Sequence, residues 1–80
     1  MAERLITEKE AQALDVVIRL TREKSYPPVA REVAKQLGLS VGRVLQVFRS
    51  LEAKGYIDRD PGVARAMRIL KTSDGAAYAG

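Results

Sequence analysis

The chain contains no cysteine and no histidine. Without thiols there is no disulfide-stapled scaffold, no cysteine zinc ribbon and no thiol nucleophile. Without imidazole there is no histidine metal ligand, and acid-base work near neutral pH would fall to Asp, Glu, Lys or Tyr. Ser25, Ser40, Ser50 and Ser73 therefore have no histidine to activate them, and the acidic residues lack paired-carboxylate or metal-ligand spacing. The expectation is no enzyme, no cofactor and no metal. Aromatic residues make up only 5% of the chain, few for a single-strand binder that stacks successive bases on rings. No apolar run approaches the ~20 residues needed to cross a bilayer. The first residues do not lead a basic segment into an apolar core, so a cytoplasmic protein is expected.

What is present suits one small domain. Eighty residues, 46% hydrophobic and 30% charged, leave no room for two cores. Charge is unevenly placed. Residues 1–24 carry five basic and five acidic side chains. In residues 25–55, Arg31, Lys35, Arg43, Arg49 and Lys54 face only Glu32 and Glu52. A basic middle in an otherwise balanced domain of net charge +4 fits a polyanion binder.

Thr7-Glu8-Lys9-Glu10 is a capping box, with Ile6 before it as a staple. Ala13, Leu14, Val17 and Thr21 recur on one face, and Pro27-Pro28 stops the helix, so helix 1 is expected over residues 8–24. Val16, Ile18 and Leu20 widen its apolar arc beyond what one core needs. The surplus is open to two readings: a homodimer seam through helix 1, or burial under a wing or the tail. Helix 2 is expected over residues 30–37, ended by Gly38. Leu39 points inward and Ser40 caps helix 3, expected over residues 41–54 with Val44, Val47, Phe48 and Leu51 inward. Two helices joined by a short glycine-containing turn form a helix-turn-helix. The period then changes. Residues 56–59 and 65–70 read as short strands joined through Asp60-Pro61-Gly62. The fold class is mainly α with a small β-hairpin, a three-helix winged helix-turn-helix over residues 1–71. Residues 72–80 are expected as a loose tail or linker stub.

Tyr26-Pro27-Pro28, Arg31-Glu32-Val33-Ala34, Leu37-Gly38, Leu51-Glu52-Ala53-Lys54-Gly55-Tyr56-Ile57, Arg59-Asp60-Pro61-Gly62 and Ala64-Arg65-Ala66-Met67-Arg68-Ile69-Leu70 together resemble the amino-terminal domain of the LexA repressors. The likeness covers residues 6–70. It implies a winged helix that binds duplex DNA and represses bacterial or phage transcription, without the self-cleaving serine-lysine peptidase domain. Three departures stand out. Val29 occupies a position where the family usually has Thr, which costs helix 2 a side-chain cap worth ~1 kcal/mol. Ser40-Val41-Gly42-Arg43 and Gln46 replace the family's Ser-Pro-Asn and acidic pair. The turn is one residue shorter, a spacing closer to GntR-type regulators, so the family operator is not assumed.

Duplex binding needs cations for phosphates, donors for base edges and amides at helix starts. With the apolar face of helix 3 turned inward, Ser40, Val41, Arg43, Gln46 and Arg49 are left facing outward or to the flanks. Arg43 suits guanine, Gln46 adenine and Val41 a thymine methyl. Gly42 leaves room for close approach or is an exposed helix glycine, and Ser40 is first a cap. Arg65, Arg59 and Arg68 put charge on the wing, where in winged helices it lies along the backbone or in the minor groove. Arg31 is a further phosphate candidate, its alternative a local ion pair. Tyr26 is expected to hold the bend between helices 1 and 2. The rival reading is a protein-interaction winged helix that presents helix 1, Val41 and Leu45 to a polymerase or another regulator.

Overall fold

The computed structural model describes residues 6–60, 62 and 66–79. Three helices, α1 (Glu8–Lys24), α2 (Ala30–Leu37) and α3 (Val41–Ala53), precede an antiparallel pair, β1 (Ile57–Arg59) and β2 (Met67–Ile69). This is the expected winged helix-turn-helix. Helix 3 is one residue shorter than expected, with Lys54 as its cap, and the strands are three residues each.

The helix starts are set locally. At α1, the Thr7 hydroxyl accepts from the Glu10 amide at 3.2 Å while the Glu10 carboxylate accepts from the Thr7 amide at 2.9 Å, satisfying two donors that helical bonding leaves open. At α3, the Ser40 hydroxyl accepts from the Arg43 amide at 3.1 Å. Helix α2 has only half of such a box. Val29 offers no side-chain acceptor, and the Glu32 carboxylate accepts from the Val29 amide at 2.8 Å.

Two positive-φ glycines shape the helix-turn-helix and its junction with the strands. Gly38 (φ 68°) turns the chain after α2, and its successor's amide reaches Ala34 O at 3.0 Å. Gly55 (φ 81°) turns it after α3, so that the Tyr56 amide reaches Leu51 O at 2.9 Å and β1 starts against the helix. Both angles lie in the left-handed region where a Cβ is penalised. The core is continuous across all three helices and the wing: Leu14 and Val17 from α1, Val33 from α2, Val44, Phe48 and Leu51 from α3, with Tyr56 and Ile57 beyond. Ile57 faces Ile69 and Arg59 faces Met67 in the strand register. Ile57 and Met67 are buried, and Ile69 packs against the same cluster.

The wide arc of α1 is used inside the monomer. Ile18 and Leu20 are buried, which removes the apolar surface that suggested a homodimer through this helix. Residues 72–79, expected as a loose tail, form a turn: Lys71 bridges Ala77, the Thr72 amide bonds Ala76 O at 2.8 Å and the Tyr78 amide bonds Leu70 O at 3.0 Å. Tyr78 packs on the core, with the Arg22 guanidinium 5.6 Å from its ring centroid. Half-burying one ring against an apolar face is what that segment's composition did not announce.

Candidate nucleic-acid interface

Helix α3 divides cleanly. Val44, Val47, Phe48 and Leu51 are buried, while Ser40, Val41, Gly42, Arg43, Gln46 and Arg49 are exposed. The helical period alone produces this split, since the inward residues recur at three and four. Val41 is 41% exposed, an apolar side chain at the first turn with no core to enter. Gly42 has nothing within 4 Å of where a Cβ would stand. The Arg43 guanidinium lies 3.5 Å from the Gln46 amide oxygen, the long end of hydrogen-bond distance. The two expected base readers are thus side by side, one turn apart. Arg49 and Arg31 are exposed and have no ion-pair partner among the described residues. The local pair considered for Arg31 is absent there, because Glu32 bonds Lys24 at 3.3 Å.

The wing arginines separate into three cases. Arg68 is 79% exposed at its side chain and pairs with Asp58 across the strands at 2.8 Å. Such a pair in solvent holds little energy and leaves the guanidinium exchangeable. Arg59 differs. Its side chain is only 17% exposed, its Nε donates to Glu52 Oε1 at 2.9 Å, and its guanidinium lies 5.1 Å from the centroid of the Phe48 ring. The side chain expected at the wing is thus turned onto α3, its Nε taken by a carboxylate and its guanidinium against a ring. Arg65 lies outside the described residues. Tyr26 is 45% exposed, while Pro28 in the same bend is buried.

The basic cap residue after α3 is committed to the scaffold. Lys54 Nζ donates to Glu10 Oε1 at 2.7 Å and Ser50 donates to the other carboxylate oxygen. Glu10 is 7% exposed. Burial, the largest single influence, pushes its pKa up. The bonds from Lys54, Ser50 and the Thr7 amide, with the Lys54 charge, outweigh it and hold the value at about 2. A charged carboxylate at the start of α1 therefore fixes the end of α3. The periodicity of α1 marks Glu10 only as a cap, so neither this role nor Glu52's hold on Arg59 is visible in the sequence. Among the described residues no cluster of acidic groups could hold a metal ion, and no helix is long and apolar enough to cross a membrane.

The family model described as the LexA DNA binding domain matches residues 3–66. The LexA repressor of Desulfitobacterium hafniense is 39% identical over 72 residues, which are 89% of this chain and 35% of that protein. The LexA repressor of Mycobacterium tuberculosis is 37% identical over 76 residues, 94% of this chain and 32% of its own length. That of Mycolicibacterium vanbaalenii is 38% identical over 73 residues, 90% and 32%. The chain thus spans about a third of the length of these relatives. An outward-facing basic recognition helix, a two-stranded wing and this match over most of the sequence lead to one conclusion: the chain belongs to the LexA DNA binding domain family.

Proposed function

We propose that this domain binds duplex DNA sequence-specifically in the cytoplasm and represses transcription by occupying a promoter. The observation that carries the proposal is the exposed face of α3, where Val41, Arg43, Gln46 and Arg49 stand together opposite a fully buried apolar face. In this reading Arg43 and Gln46 read base edges, each bidentate contact worth roughly 1–3 kcal/mol of discrimination, and Val41 meets a thymine methyl. The Ser40 hydroxyl caps α3, and the free amides at that helix start face a phosphate. Arg49, Arg31, Arg65 and Arg68 supply phosphate contacts, Arg68 by exchanging Asp58 for a backbone oxygen. In this reading Arg59 serves the wing through α3, engaged with Glu52 and Phe48. The domain is a binding module and carries out no chemistry of its own.

The protein-interaction alternative loses its main support, because Ile18 and Leu20 are buried and Leu45 is half-buried. A homodimer through helix 1 lacks support for the same reason.

Selection from a random duplex pool tests the reading, followed by titration of the winner and a scrambled control at two salt concentrations. The expected outcome is a motif bound at least ~10³-fold tighter than control. Log affinity should fall with log salt, with a slope of about 0.9 per phosphate neutralised. An unenriched pool with salt-insensitive binding would exclude DNA as the ligand.

A further inference from the structure

We infer that Arg59 is a positioning residue for DNA binding: clamped by Glu52 and Phe48, it sets the wing's angle to the recognition helix. The inference rests on the proposed duplex binding and adds to it a residue that acts without touching DNA. The geometry that carries it spans two elements. Glu52 and Phe48 lie on α3, Arg59 is the last residue of β1, and its register partner is Met67 at the start of β2. Ile57 and Met67 seat the strands on the core they share with α3, and Arg59 adds a polar tie at the end from which the wing tip departs. The Asp60 amide bonds Ala66 O at 2.9 Å just beyond it.

The clamp is only partly open to solvent, Arg59 17% and Glu52 32% exposed at their side chains. Arg59 covers the ring of Phe48, which is buried, and its bond to Glu52 is charge-assisted, the stronger class of hydrogen bond. A guanidinium suits this place because its plane stacks on a ring while its edge donates to a carboxylate. The outer bond of the strand pair, Asp58 to Arg68, is by contrast exposed on both sides. The wing is a two-stranded ribbon, marginal by itself, so its orientation depends on what anchors it. Two DNA-contacting surfaces joined rigidly at the right angle bind together without the ordering cost that a loose wing would incur.

Charge and positioning predict opposite signs for one substitution. Glu52→Ala removes an acidic residue from a DNA-binding helix, so simple electrostatics predicts tighter binding. The clamp predicts weaker binding, about three- to ten-fold, with backbone protection lost where the wing lies and retained under α3. Alanine is a strong helix former, and a melting curve checks that the variant folds. Glu52→Gln keeps an acceptor for the Arg59 Nε and should restore part of the affinity. In the free protein, NMR order parameters of residues 66–69 should fall in Glu52→Ala and recover in Glu52→Gln. Binding by Glu52→Ala as tight as or tighter than the parent overturns the inference, as do unchanged order parameters. If the parent domain bound no duplex, the functional proposal would fail, while the relaxation data would still decide whether Glu52 and Arg59 hold the wing.

Discussion

Lys54 Nζ stands 2.7 Å from Glu10 Oε1, joining the last turn region of α3 to the first turn of α1 across 44 positions of sequence. The carboxylate is nearly buried and accepts from Ser50 and the Thr7 amide as well. Removing Lys54 would leave a nearly buried carboxylate short of its charged partner, which is costly. The recognition helix is therefore held at its end by a charge belonging to another helix.

Acid stability follows from that carboxylate. Its pKa is about 2 in the folded chain against 4.5 as an ordinary Glu, so the folded state binds the proton more weakly than the unfolded one. The stabilisation is complete above pH 4.5 and is lost as pH falls towards 2. At 1.36 kcal/mol per pKa unit it amounts to about 3 kcal/mol. Denaturant titrations of the parent and Glu10→Gln between pH 7 and pH 2 should show a gap of that order at neutral pH, closing at the acid end. A gap independent of pH would refute the assignment.

Base reading and phosphate binding separate by mutation. Arg43→Ala is expected to cost about 1–3 kcal/mol and to relax preference at one position. Arg65→Ala should weaken matched and scrambled duplexes alike and lower the salt slope by about one. Competition binding on single-base variants of the selected site distinguishes them. Equal losses on all sequences for both substitutions would remove Arg43 from base recognition.

Helix α2 has a missing half-cap that can be restored. Val29 sits at the N-cap in an extended conformation without a side-chain acceptor, and Glu32 already supplies the reciprocal bond. Val29→Thr should complete the box and stabilise the domain by ~1 kcal/mol, raising the melting temperature by roughly 4–8 °C for a chain of this size. Calorimetry reads the shift directly, and no rise would mean that the lost Val29 contacts offset the cap.

Gly42 offers a contrast between stability and binding. Space around it is open and it lies within α3, so Gly42→Ala should stabilise the free domain by roughly 0.5–1 kcal/mol. If the helix approaches the duplex closely there, the same change weakens binding. A stabilised variant with unchanged affinity would assign Gly42 no part in recognition.

The elements legible in the sequence are those whose bonds close within a few residues. Thr7 with Glu10, Ser40 with the Arg43 amide, and Gly38 after α2 all act at short separation, and the period of Val44, Val47, Phe48 and Leu51 divides α3 into an inward and an outward face. For the same reason the outward placement of Arg43 and Gln46 follows from the sequence alone. Only the tertiary structure decided which charges are free. Arg59 and Arg68 are both wing arginines in the sequence, yet one is shared between Glu52 and Phe48 while the other stands in solvent beside Asp58. Lys54 is claimed by Glu10, Ile18 and Leu20 disappear into the monomer, and Tyr78 finds Arg22. A local cap depends on backbone geometry that a few residues dictate. A long-range ion pair depends on which helix ends the packed core brings within reach, and that is a property of the whole chain.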